Sequence, residues 1–135
     1  MIRGQALSRM ALVGLDLVEF LNASPTAYHA VSTLEKRLLA AGFLPLSERD
    51  PWDIKPGQAY YVTRSKSAIM AFAVGGAYVP GNAFVMTGAH TDSPCLRLKP
   101  VSALSKPGGV VSVGVETYGG GLWYSWLDRD RKWCP

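Results

Sequence analysis

The chain has 135 residues, of which 48% are hydrophobic and 18% charged, a composition that suits one globular domain and argues against disorder. No apolar run approaches the ~20 residues that a membrane-spanning helix needs, so no membrane partner is predicted. The net charge is +4, from scattered residues. The one basic cluster, Arg129, Arg131 and Lys132, is interrupted by Asp128 and Asp130, which is typical of a solvated segment and predicts no nucleic-acid partner.

Residues 1–15 contain Arg3 and Arg9 but no acidic residue. This pattern has two interpretations: a mitochondrial or plastid transit segment, or the basic start of a first helix. We favour the second, which predicts a cytoplasmic protein. The cysteines Cys95 and Cys134 form no CxxC pair and no disulfide framework, which fits a reducing compartment.

Helical spacing of apolar residues predicts a first helix that begins near Leu12 and ends near Asn22. Ser24 then has the character of an N-cap, with Pro25 at the first position of a second helix. Gly42 is the expected end of that helix.

Strands are predicted next, at 59–63, 68–74, 84–88, 96–99 and 110–118. Before them, Phe43–Ile54 is predicted to be a connecting loop anchored by Trp52. The strand over Ala68–Val74 is almost wholly apolar, which predicts burial on both faces. Two helices followed mostly by strands predict an incomplete α/β or α+β domain.

The segment Gly88–Pro94 is the part of the sequence that suggests chemistry. It follows an apolar run and places His90 and Asp92 two residues apart. Because side chains at i and i+2 of a strand share one face, these two groups are expected together at a strand end. An imidazole with a carboxylate beside it is a common way to present a metal ligand.

A catalytic zinc site usually needs at least three protein ligands, and this pair supplies only part of one. The other candidate ligands have no convincing spacing; they are His29, Cys95, Glu116, Asp128 and Asp130. We interpret His29 as a packing or hydrogen-bonding residue and Cys95 as a small buried side chain.

The glycines Gly119–Gly121 match neither GxGxxG nor a Walker-type motif, so a phosphate-binding loop is not predicted. They are expected to allow close backbone approach beside Trp123 and Trp126, which are interpreted as core or interface residues.

The run Gly88–Arg97 resembles the metal-binding segment of the M18 family of metallopeptidases, the aspartyl aminopeptidases. Further stretches agree with the family in the same order: Ser24-Pro25 with Tyr28-His29-Ala30, Ala71–Gly76, Tyr78–Asn82, Val115–Trp123 and Trp126–Asp130. The resemblance extends from about Leu15 to Asp130, and together the motifs are far more specific than His-x-Asp alone.

The resemblance implies a di-zinc exopeptidase that removes N-terminal aspartate or glutamate from peptides and forms homo-oligomers. It implies an α/β/α catalytic domain, begun here by residues 1–98, and an inserted β-rich dimerisation domain, begun by residues 99–130. Residues 131–135 would be a divergent tail. His90 corresponds to a zinc ligand, Asp92 to the catalytic acid that orients it, and His29 to a structural position.

The same resemblance implies that this chain is incomplete as an enzyme. Family members are much longer, and their remaining zinc ligands, bridging aspartate and general-base glutamate lie beyond residue 135. The family pattern also stops at Arg131, which predicts a truncated gene model, an alternative transcript or a frameshift.

Three hypotheses follow. The chain is an amino-terminal piece of an aspartyl aminopeptidase that is inactive alone, or a non-catalytic module that joins or modulates family oligomers through Lys99–Trp126, or a complete small metal-binding protein. In each case the strand over Ala68–Val74 would lack the cover that later family helices provide. An exposed apolar patch, with aggregation or dependence on a partner, is therefore expected.

Overall fold

A computed structural model describes residues 9–126, which form a mixed α/β structure. Two helices, α1 (Arg9–Ala23) and α2 (Ala27–Ala40), precede the strands β1 (Leu44–Leu46), β2 (Ala59–Arg64), β3 (Ala68–Ala73), β4 (Cys95–Ser105) and β5 (Val111–Tyr118). Short 3₁₀ helices occur at Pro107–Gly109 and Trp123–Trp126. Neither helix of this range combines the length and apolarity needed to cross a membrane. Residues 9–92 and residues 93–126 belong to two compact units.

Helix α2 begins at Ala27, not at Pro25 as the sequence predicts. Its N-cap is Thr26, which has an extended backbone and whose Oγ1 accepts a hydrogen bond from the His29 N–H at 3.4 Å. The Ser24 hydroxyl, predicted to be the cap, is buried without a hydrogen-bond partner among the described residues. The predicted end of the helix is confirmed, because Gly42 has a φ of +83°, a conformation that favours glycine.

The first sheet has β2 at its centre, parallel to β1 and antiparallel to β3. Tyr60, Tyr61 and Val62 of β2 are all buried, together with Ala30 and Val31 of α2. Because successive strand residues face opposite sides, three consecutive buried residues mean that β2 is covered on both faces. The core of this unit therefore lies along β2.

Two sequence predictions for the first sheet need correction. The three-residue strand β1 lies inside the stretch predicted to be a connecting loop. Strand β3 is apolar but not buried on both faces, since it lies at the edge of the sheet and Met70 is 52% exposed. Position in the sheet, more than apolar composition, decides which strand is covered. The expected exposure of apolar side chains along this strand is confirmed.

The segment 84–88, predicted to be a strand, has no regular secondary structure. Phe84, Val85 and Met86 are 76%, 101% and 85% exposed. A strand needs a neighbour for its backbone hydrogen bonds, and no described strand pairs with these residues. His90 and Asp92 consequently do not lie at the end of a strand.

The second unit is built on an antiparallel ribbon of β4 and β5, whose register runs from Cys95 opposite Tyr118 to Ser105 opposite Val111. The register shifts between Leu98 and Ala103. The predicted strand ending at Tyr118 is confirmed. Apolar side chains of the ribbon remain exposed, since no third strand or helix is paired with it in the described chain.

Candidate metal centre

The side chains of His90 and Asp92 lie together although no strand holds them. His90 Nδ1 is 3.5 Å from Asp92 Oδ1. The His90 side chain is 92% exposed and that of Asp92 33% exposed. The histidine therefore reaches into open space while the carboxylate beside it is partly shielded.

Thr91, between these two residues, contacts a different part of the unit. Its Oγ1 donates a hydrogen bond of 2.8 Å to the carbonyl of Ser67, at the end of the turn that joins β2 to β3. Residues 81–90 are all exposed, whereas Thr91 and Asp92 are half-buried. The chain therefore becomes partly buried at Thr91, the residue that forms this hydrogen bond. The sequence analysis did not single out Thr91.

The geometry fits a zinc-binding histidine with its orienting carboxylate. A carboxylate at Nδ1 favours the tautomer that carries its proton there and leaves Nε2 as the metal-binding nitrogen. Zinc accepts imidazole nitrogen readily but needs further ligands. Residues 9–126 contain no group of three or more His, Cys, Asp or Glu side chains able to hold an ion. The described chain brings together one candidate ligand, His90, and one carboxylate beside it, Asp92.

The other candidate ligands have different roles or lie elsewhere. His29 Nδ1 is 2.8 Å from Thr26 Oγ1, so this histidine takes part in the N-terminal cap of α2. Cys95 is a half-buried free thiol, and its hydrogen bond with Arg97 is the main factor that raises the pKa of that guanidinium. Glu116 stands opposite Arg97 in the ribbon. Asp128, Asp130, Cys134 and the predicted tail from Arg131 lie outside the described residues.

The glycine and aromatic segment fits the predicted structural interpretation. Gly119 has a φ of +79°, and a Cβ there would lie 3.4 Å from the Cα of Pro94. At Gly121, a Cβ would meet the Trp123 ring at the same distance of 3.4 Å. The rings of Trp123 and Trp126 are 5.7 Å apart between centroids. Gly119 and Gly121 therefore permit close packing against Pro94 and Trp123.

Comparison with known proteins places this chain in a family. The model of the aminopeptidase I zinc metalloproteases, family M18, matches residues 20–132, and the chain belongs to that family. It is 56% identical over 115 residues to a probable aspartyl aminopeptidase of Ricinus communis, covering 85% of this chain and 23% of the relative. It is 55% identical over 119 residues to an aspartyl aminopeptidase of Aspergillus oryzae, covering 86% and 24% of the two chains.

Solved structures agree with this assignment. The structure of Chaetomium thermophilum mApe1 matches with a TM-score of 0.84 and 40% identity, covering 90% of this chain and 28% of that one. The Saccharomyces cerevisiae mApe1 dodecamer matches with a TM-score of 0.80 and 30% identity, covering 91% and 29%. The chain thus spans about a quarter of the length of the curated relatives it matches.

Proposed function

We propose that this chain is the amino-terminal portion of a zinc aminopeptidase that removes N-terminal aspartate or glutamate from peptides. The observation that carries the proposal is family membership over residues 20–132, with the His90–Asp92 pair inside the matched range. In this proposal residues 1–98 begin the α/β/α catalytic domain of a di-zinc exopeptidase. Residues 99–130 begin the β-rich dimerisation region through which homo-oligomers form.

Each residue of the pair has a distinct proposed role. His90 supplies one imidazole nitrogen to a zinc ion, and Asp92 is the catalytic-site acid that holds the imidazole in the metal-binding tautomer. When bound, zinc in such enzymes polarises the scissile carbonyl and lowers the pKa of a bound water. In the proposed site, the role of this chain is to orient the His90 ring. The Asp92 carboxylate that orients the ring is half-buried, while the imidazole itself is exposed.

The chain alone is proposed to be inactive, because residues 9–126 contain no group of three His, Cys, Asp or Glu side chains that could hold a zinc ion. The purified 135-residue chain, supplied with zinc, should release no aspartate from a peptide above background. Zinc-dependent release that is lost in His90→Ala would contradict this.

A chimera tests the proposed activity directly. Residues 20–126 would replace the matching segment of the Ricinus communis relative, which is 56% identical over the aligned region. The chimera should release N-terminal aspartate but not N-terminal leucine. His90→Ala should abolish the release, and Asp92→Asn should lower it by roughly 10–100-fold, as expected for loss of an outer-shell partner.

His29→Gln is the matched control, since His29 caps a helix and should leave the activity of the chimera nearly unchanged. A chimera that is folded and oligomeric but unaffected by His90→Ala would refute the assigned site.

A second candidate is a non-catalytic module that joins or modulates full-length family oligomers. It is favoured by the apolar side chains that the ribbon exposes, among them Val101 at 85% and Val111 at 92%. The chain should then co-elute with a full-length subunit in size-exclusion chromatography. A folded, strictly monomeric chain with no such association would count against it. In either case we propose a cytoplasmic location, with mitochondria or plastids as the alternative, to be checked by imaging the tagged protein.

A further inference from the structure

We infer that Thr91 is a positioning residue for the zinc ligand, because it ties the His90–Asp92 segment to the turn between β2 and β3. The inference rests on the proposed function, since it assumes that His90 binds zinc. It concerns a residue that neither touches the metal nor titrates.

The first argument is geometric. His90 and Asp92 approach each other to 3.5 Å, while Thr91 between them makes its hydrogen bond to Ser67. One contact joins the two flanking side chains, and the other joins the residue between them to a separate element. Together the two contacts restrict the backbone at three consecutive residues, which limits the directions that the imidazole can take.

The second argument comes from what precedes the motif. The exposed residues 81–90 have no regular structure after the turn at Gly81, so no described sheet ladder fixes the approach to His90. A loop without such support is free to move on fast timescales unless a specific contact holds it. The 2.8 Å bond from Thr91, which spans 24 positions in sequence, supplies such a contact.

The third argument concerns the acceptor. The turn that ends at Ser67 has two non-glycine residues with positive φ, Ser65 at +50° and Lys66 at +54°. Its closing bond runs from the Ser67 N–H to the Arg64 carbonyl at 3.1 Å. Such a turn is narrow and defined on both sides by the paired strands β2 and β3. The Ser67 carbonyl is therefore a well-placed anchor for a loop that has little structure of its own.

The test uses the 135-residue chain with Thr91→Val, which keeps the shape of the side chain and removes the hydroxyl, and Thr91→Ser, which keeps the hydroxyl. Amide hydrogen exchange of residues 87–92 should be faster in Thr91→Val and restored in Thr91→Ser. Unchanged exchange in Thr91→Val would overturn the inference, whether or not the chain binds zinc.

A second measurement separates positioning from general stability. Zinc is titrated into the metal-free chimera, with and without each Thr91 substitution, and bound zinc is measured by equilibrium dialysis. The concentration for half-saturation should rise on the order of tenfold in Thr91→Val, the lower end of the loss expected for outer-shell contacts, and return in Thr91→Ser. Faster exchange with unchanged zinc binding would also overturn the inference.

The two proposals fail differently. If His90→Ala leaves zinc binding by the chimera unchanged, the proposed function loses its ligand, and the inference loses the site it serves. If His90→Ala weakens zinc binding and Thr91→Val behaves like the unsubstituted chimera, only the inference fails. Exchange of the α1 amides is the internal control and should be the same in all three chains, because Thr91 bonds to the β2–β3 turn, whereas α1 packs against α2.

Discussion

Two residues that follow His90 in the sequence make the contacts that surround the candidate site. Asp92 lies at the Nδ1 of His90, and the next residue along the chain, Thr91, connects the segment to the β2–β3 turn. The pairing of His90 with Asp92 could be anticipated from their spacing. The contact of Thr91 could not be anticipated, because its acceptor is the backbone carbonyl of Ser67. The position of that carbonyl depends on how the turn folds, and every residue type has a backbone carbonyl.

Tyr61 provides a residue-scale prediction on pH. Burial in β2, and secondly the Glu35 carboxylate on α2, raise the pKa of Tyr61 above its ordinary value. A raised pKa in the folded state means that stability is fully present below about pH 10, the ordinary tyrosine value, and is lost as the pH rises through the folded pKa.

We therefore expect the β-sheet signal in circular dichroism to decline at alkaline pH. Tyr61→Phe should remove the part of the decline due to this group, and Glu35→Gln should make the Tyr61 phenol ionise at a lower pH. A decline that is identical in Tyr61→Phe and the unsubstituted chain would contradict this assignment.

Among the elements, helix α1 is attached to α2 by exposed side-chain contacts and contributes no buried residue to their interface. No residue of α1 is buried, and the helix is attached to α2 by a bidentate pair in which Arg37 contacts Asp16 at 2.9 and 3.0 Å. The same guanidinium lies 5.2 Å from the centre of the Phe20 ring. Both helices were predictable from apolar spacing, but it was not predictable that α1 has no buried residue and that α2 buries Ala30 and Val31, since burial depends on neighbours.

The start of α2 gives an element-scale prediction. Thr26→Ala removes a hydroxyl that caps the helix, and should destabilise its first turn by about 1 kcal/mol. Hydrogen exchange at His29 and Ala30 should be faster by roughly the corresponding fivefold.

Ser24→Ala is the contrasting variant, because the Ser24 hydroxyl has no partner in the described chain, and its removal should cost little or stabilise slightly. Equal acceleration of exchange in the two variants would mean that the cap has been assigned to the wrong residue.

Across the whole molecule, many large apolar side chains of the described residues are exposed. Helix α1 exposes Met10 at 86% and Val13 at 64%, and the segment before the motif exposes Val85 completely. Exposed apolar patches of this kind mark surfaces that other parts of a protein or other chains cover. This agrees with a chain that spans about a quarter of its relatives.

The isolated chain is therefore expected to associate. It should bind a hydrophobic dye, sediment faster as concentration rises, and lack a single cooperative unfolding transition. Val13→Glu should reduce the association by placing a charge on the exposed face of α1. Lys106→Glu, in an exposed turn, is the control and should not. A monomer with a cooperative transition and no dye binding would disprove this prediction.

The features that could be predicted from the sequence are those that depend on residues close together along the chain. Apolar spacing and the glycine at position 42 defined both helices closely, alternation and turn residues defined β2 and β5, and the His90 motif with its flanking segments identified the family. These signals are local because backbone preferences and side-chain periodicity act over a few residues.

Which elements are buried, and which distant residues contact each other, became known from the three-dimensional fold. It placed β2 in the centre of the sheet, left the apolar β3 at an edge, and left residues 84–88 without a partner strand. It also brought Thr91 to Ser67 across 24 positions. Strand pairing and such contacts join residues far apart in sequence, so their partners, and not their own composition, set the outcome.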